Sequence, residues 1–76
     1  MPPLPVLPAR EVAATFERLG WTAVRQRGSH IIMVKEGSLA TLAIPNHKEV
    51  AKGTLRSLIR TAELTVQEFL DARGGP

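Results

Sequence analysis

Seventy-six residues make one domain, and a chain of that size buries only about 60% of the surface its unfolded form exposes. The absence of cysteine excludes disulfides and thiolate-ligated metals. The longest apolar runs are too short for a transmembrane helix or a signal-peptide core. No membrane role is expected, and a reducing cytoplasm suits the composition.

Ten Lys/Arg stand against seven Asp/Glu, giving a net charge of +3 and a pI near 10.2. The excess is uneven. Arg25, Arg27, Lys35, Lys48, Lys52, Arg56 and Arg60 fill the middle, against Glu36 and Glu49. Glu11, Glu17, Glu63, Glu68 and Asp71 lie toward the ends. A basic middle that also holds both histidines points to a polyanion such as nucleic acid. An ordinary solvated surface accounts for the charge equally well.

Residues 1–8, MPPLPVLP, carry four of the six prolines and read as an extended tail. Leu4, Val6 and Leu7 remain available to dock on the domain or on a partner. Ala9 to Leu19 reads as a helix, with Val12, Phe16 and Leu19 on one apolar face and Gly20 as its stop. Trp21 to Arg27 reads as a strand. Strict alternation puts Thr22, Val24 and Gln26 on one side, and Trp21, Ala23 and Arg25 on the other.

His30 to Lys35, HIIMVK, is the clearest strand, and Glu36-Gly37-Ser38 follows as a turn with glycine at a positive-φ position. Leu39 to Ile44 returns as a third strand, which Pro45 ends because it cannot donate to a ladder. Asn46 to Val50 is a loop. A second helix starts between Ala51 and Thr54 and runs to about Ala62, burying Leu55, Leu58, Ile59 and Ala62. Lys52, Arg56 and Arg60 recur every four residues and share a basic face.

Thr65-x-x-Glu68 is a capping box, and Leu64 and Phe69 occupy the two positions of a hydrophobic staple. A short third helix follows to about Ala72, and Gly74-Gly75-Pro76 is a frayed end. The expected organisation is a tail over 1–8, a domain over 9–72 and a flexible end over 73–76. The expected fold is two-layer α+β, with the helices on one face of an antiparallel meander. Ile31, Met33 and Lys35 alternate with His30, Ile32 and Val34, so the uncovered face exposes aliphatic surface suited to a protein contact.

RNA carries its own nucleophile, the 2′-hydroxyl. Its cleavage needs a base, an acid for the leaving oxygen, and cations for the phosphorane. Histidine as a residue type transfers protons near neutral pH, and Lys or Arg holds phosphate. His30 is the candidate catalytic group, with Arg27, Lys52 and Arg56 as candidate neighbours. Gly28 lets a phosphate approach the backbone, and Ser29 adds a hydroxyl and an N–H.

From the residues alone, a bland surface histidine fits His30 better than catalysis. His47 follows Pro45 in a loop and binds backbone or solvent. The two histidines lack the spacing and co-ligands of a zinc site, so no cofactor is expected. Gly53 fits either a phosphate approaching the helix start or close backbone packing.

Several motifs in order resemble the HicA toxin family of bacterial type II toxin–antitoxin systems. They are Gly28-Ser29-His30, Ile44-Pro45-Asn46-His47, Lys52-Gly53-Thr54-Leu55-Arg56, Leu58-Ile59-Arg60, and Leu64-Thr65 with Glu68-Phe69-Leu70. The likeness runs from about Trp21 to Leu70, and Glu11-Val12 and Phe16 to Gly20-Trp21 fit the helix before it.

The resemblance implies an mRNA interferase with a double-stranded-RNA-binding-domain-like fold, α-β-β-β-α plus a short C-terminal helix. It implies action without a metal cofactor, with the essential histidine at His30. The basic residues Arg25, Arg27, Lys48, Lys52 and Arg56 are then the candidates to bind RNA. It further implies a HicB-like antitoxin that covers this region and links the complex to DNA only indirectly. Glu63 stands where the family often has glycine, so a left-handed cap is not expected there. A non-catalytic RNA-binding module and an inactive partner-binding protein of the same fold are the competing expectations.

Overall fold

The computed structural model describes residues 3–74. The elements are α1 (Ala9–Arg18), β1 (Thr22–Arg27), β2 (His30–Val34), β3 (Thr41–Pro45), α2 (Lys52–Thr61) and α3 (Val66–Gly74). The three strands form one antiparallel sheet in the order β1-β2-β3. The fold is the expected two-layer α+β arrangement, like that of double-stranded-RNA-binding domains.

In α1, Val12 and Phe16 lie one turn apart and are fully buried. Gly20 ends the helix at φ 99°. Its N–H donates to Glu17 O at 3.1 Å, and that of Trp21 to Phe16 O at 3.0 Å. These are the two bonds of a Schellman motif. The Trp21 ring packs edge-on against Phe16, with centroids 6.5 Å apart. Trp21 thus belongs to the helix stop, and β1 begins one residue later than the pattern predicts.

The sheet departs from strict alternation at Val24. Ala23 pairs with Met33, but Arg25 pairs with Ile32, so Val24 is the extra residue of a β-bulge. Residues beyond a bulge exchange faces relative to an unbroken strand. The expectation that Arg25 shares a side with Trp21 and Ala23 is therefore overturned. The pairs Met33–Leu42 and Ile31–Ile44 face the core, with Ala23 and Gln26 of the exposed β1 in register beside them. The rows Thr22–Val34–Thr41, Arg25–Ile32–Ala43 and Arg27–His30–Pro45 face away from the helices.

The last strand is also shifted. Leu39 is fully exposed, Ser38 Oγ accepts the Ala40 N–H at 3.1 Å, and β3 starts only at Thr41. Pro45 closes the strand from inside it, paired with His30. A terminal position tolerates proline because the next ladder donor is not required.

Leu55, Leu58 and Ile59 bury one face of α2 against the core. Gly53 has open space where a Cβ would stand, so close packing does not account for it. Glu63 adopts φ 59°, the left-handed cap that a glutamate was expected to resist. Its N–H donates to Arg60 O at 2.9 Å and that of Leu64 to Ile59 O at 3.0 Å, a second Schellman motif. Two backbone hydrogen bonds and the half-burial of Leu64 hold an arrangement whose steric cost is about 1–2 kcal/mol for a residue with a Cβ.

The capping box forms as expected. The Glu68 N–H donates to Thr65 Oγ1 at 3.1 Å, and the Thr65 N–H to Glu68 Oε1 at 2.8 Å. Phe69 is fully buried, its ring 5.2 Å from that of Phe16. Arg18 Nη1 donates to the carbonyls of Ala72 and Arg73 at 3.2 Å each, placing a cation at the C-terminal end of α3.

The proline-rich start is extended and docks on the domain. Leu4 and Leu7 are 2% and 3% exposed and join the core cluster, while Val6 points outward. Pro8 has φ −71° and ψ 154°, the polyproline II region. A threefold period puts residues three apart on one face, so Leu4 and Leu7 enter the core together. The Val50 N–H donates to Leu7 O at 2.7 Å, and the Ala9 N–H to His47 O at 3.0 Å. The segment thereby straps down the loop between β3 and α2. Gly74, expected to begin a frayed end, is still helical. Met1, Pro2, Gly75 and Pro76 lie outside the described residues.

Candidate active site

Arg27 and His30 are paired across a turn whose two central residues are Gly28 and Ser29. Gly28 has φ 59°, and the turn's other central residue has no positive φ. That φ pattern is the one of a type II′ hairpin, which takes glycine at its first central position. A Cβ at Gly28 would meet nothing within 4 Å. The glycine is thus required by backbone conformation, and the space beside it is open to an incoming group. Ser29 O accepts the Asn46 N–H at 2.7 Å, and Gln26 Nε2 donates to Gly28 O at 3.4 Å. The first bond ties the turn to the start of the loop after β3, and the second braces the hairpin itself.

His30 is exposed, on the sheet face turned away from the helices. It lines a shallow depression of about 370 Å³ with Arg27, Ile32 and Ala43. The bulge at Val24 places Arg25 in the adjoining row, opposite Ile32. None of the three rows on this face contains an acidic residue. The result is an imidazole and two guanidiniums over an aliphatic floor. This arrangement can move a proton and hold an anion.

The structure separates the remaining candidates from this pocket. Lys48 lines a second depression of about 270 Å³ with Pro8, Ala9, Arg10, Asn46 and His47. Lys52 opens α2 in the helical layer. Arg56 lines a groove with Ile59, Arg60, Leu64, Thr65 and Val66. Arg27 is the one predicted neighbour that shares a pocket with His30.

Ile32 and Ala43 as pocket walls, Asn46 as the turn's anchor and Arg10 beside His47 were not anticipated. The first two follow from strand register, which the Pro45–His30 pairing sets. A cleft of about 610 Å³ lies at the opposite end of the sheet from His30. It is lined by Trp21, the Lys35–Ala40 turn and Ala62–Leu64. It holds neither histidine and none of the cations on the His30 face.

Among the described residues, no three His, Asp or Glu side chains come together to hold a metal ion. No helix among them is long and apolar enough to cross a membrane.

A protein-family model described as the HicA toxin of bacterial toxin–antitoxin systems matches residues 9–64. No curated protein matches the chain. The matched span runs from α1 through the Gly28-Ser29-His30 turn to the end of the Schellman motif at Leu64. It leaves out the proline-rich strap and α3. Covering well over half of the residues, it shows that the chain belongs to the HicA family of toxins from bacterial toxin–antitoxin systems.

Proposed function

We propose that this toxin is a ribonuclease that cleaves mRNA and so arrests translation and growth, with His30 as its proton-transfer residue. The observation that carries the proposal is the row Arg27–His30, with Arg25 brought to the same face by the bulge. An open depression on a sheet face suits a polymer, whose chain must pass across the site.

The chemistry uses groups of the chain and of RNA alone. A base removes the proton from the 2′-hydroxyl, and the 2′-oxygen attacks the adjacent phosphorus. The bond from phosphorus to the 5′-oxygen breaks, and that oxygen takes a proton. The products are a 2′,3′-cyclic phosphate and a 5′-hydroxyl. His30 acts as the base or as the acid. The guanidiniums of Arg27 and Arg25 donate to the non-bridging oxygens and stabilise charge as the phosphorane forms.

A toxin of this kind works with an antitoxin. We infer a HicB-like antitoxin that covers the His30 face, where Val24 and Val34 are exposed and Ile32 adds aliphatic floor. Contact with DNA then belongs to the antitoxin, and the cytoplasm, where mRNA is translated, is the site of action.

A non-catalytic RNA-binding module is the second reading. The observation favouring it is that Lys48, Lys52 and Arg56 lie outside the His30 pocket. The deciding experiment is an RNA oligonucleotide incubated with the wild type and His30→Ala. Loss of cleavage with retained binding supports the ribonuclease. No turnover by either, with binding that weakens steeply with salt, supports the module. An all-2′-deoxy substrate should survive intact.

A further inference from the structure

The groove between α2 and α3 combines an apolar floor with a basic rim. Its floor is Ile59, 2% exposed, with half-buried Leu64 and Val66 at 8%. Its volume is about 290 Å³. The wall exists because Glu63 takes the left-handed cap and turns Leu64 back onto Ile59 O. At the groove's edge the Thr65 N–H donates to Glu68 Oε1 and the Thr65 Oγ1 accepts the Glu68 N–H, which fixes the start of α3.

Two cations edge the groove. Arg56 and Arg60 stand one helical turn apart, both exposed. Among the described residues neither forms an ion pair or a side-chain hydrogen bond, and no acidic side chain lines the groove. An apolar slot with unpaired guanidiniums on one rim complements an acidic segment with an apolar anchor. A single-stranded RNA would need stacking platforms as well as cations, and the lining contains no aromatic ring.

We propose that this groove docks an acidic, amphipathic peptide segment of a protein partner. An aliphatic side chain of the partner sits on Ile59, Leu64 and Val66, and carboxylates spaced i, i+4 meet Arg56 and Arg60. Arg56, Ile59, Arg60 and Leu64 lie within the family match, and Thr65 and Val66 lie beyond it. His30 faces away from the helical layer, so a partner held in the groove leaves the His30 face uncovered.

The test is a titration of the isotope-labelled full chain, followed by NMR. The probe is a short peptide in which glutamates spaced i, i+4 flank a leucine. Saturable shifts are expected at Ile59, Leu64 and Val66, with His30 unmoved. The double substitution Arg56→Glu, Arg60→Glu should weaken binding by about tenfold or more, as should replacing the peptide's leucine with asparagine. His30→Ala should leave the affinity unchanged. If the double glutamate variant fails to fold, Arg56→Gln with Arg60→Gln serves in its place. The proposal is overturned if no saturable shifts occur, or if the shifts fall on the His30 face. It is equally overturned if the charge variants bind as well as wild type, or if a single-stranded RNA competes for the same residues.

Discussion

Arg27 and His30 face each other as a register pair across the Gly28-Ser29 turn, both on the sheet face away from the helices. They share one open depression, walled by Ile32 and Ala43. The turn that makes this pairing depends on a positive φ at Gly28.

Gly28→Ala should therefore destabilise the fold by about 1–2 kcal/mol, the cost of a left-handed alanine. The space around the new methyl group is open, so the penalty is local backbone strain and not a clash with neighbouring residues. Gly28→Asn, which tolerates that region, should recover most of it. Urea midpoints of the variants measure both effects.

Deleting Val24 should leave the site in place. Ala23 is already opposite Met33 and Arg25 opposite Ile32. Removing the extra residue regularises the strand and keeps Arg25 and Arg27 on the His30 face. The expected result is a folded protein with cleavage retained, and a cross-strand NMR contact between residues 25 and 32. A loss of cleavage with the fold intact would show that the bulge's twist, and not only its register, shapes the site.

Glu63→Gly should stabilise the protein by about 0.5–1 kcal/mol. Relief of the left-handed strain outweighs the extra freedom that glycine gives the unfolded chain. Glu63 is exposed and forms no side-chain hydrogen bond among the described residues, so little else changes. A higher melting temperature with unchanged cleavage is the readout.

Leu7→Ala should cost about 2–4 kcal/mol, as expected for a fully buried leucine. The same change should loosen the strap on the loop after β3. Hydrogen exchange at the Val50 amide, which donates to Leu7 O at 2.7 Å, should speed up more than exchange in β2.

The elements were legible because the local signals agree with the packing. Val12 and Phe16 at helical spacing, the Thr65–Glu68 box and the HIIMV run each formed as their chemistry requires. What alternation could not give was register. A bulge at Val24 leaves no mark in composition, yet it decides which face receives Arg25. Glu63 misled for the opposite reason, since tertiary anchoring of Leu64 overrode a residue preference. The proline-rich start left docking on the domain or on a partner open, and Leu4 and Leu7 dock on the domain while Val6 stays exposed. Their period is that of polyproline II and not of a helix or strand. Of the site, His30 and Arg27 were legible together, while Lys52 and Arg56 were predicted beside them and lie in the other layer.

Cleavage of a defined RNA by purified His30→Ala, set against the wild type, tests the central proposal most directly. The expected result is a fall in rate of about 10²-fold or more, with the melting temperature and RNA binding preserved. Wild-type products should end in a 2′,3′-cyclic phosphate. Cleavage by His30→Ala at the wild-type rate would contradict the assignment of His30 as the proton-transfer residue.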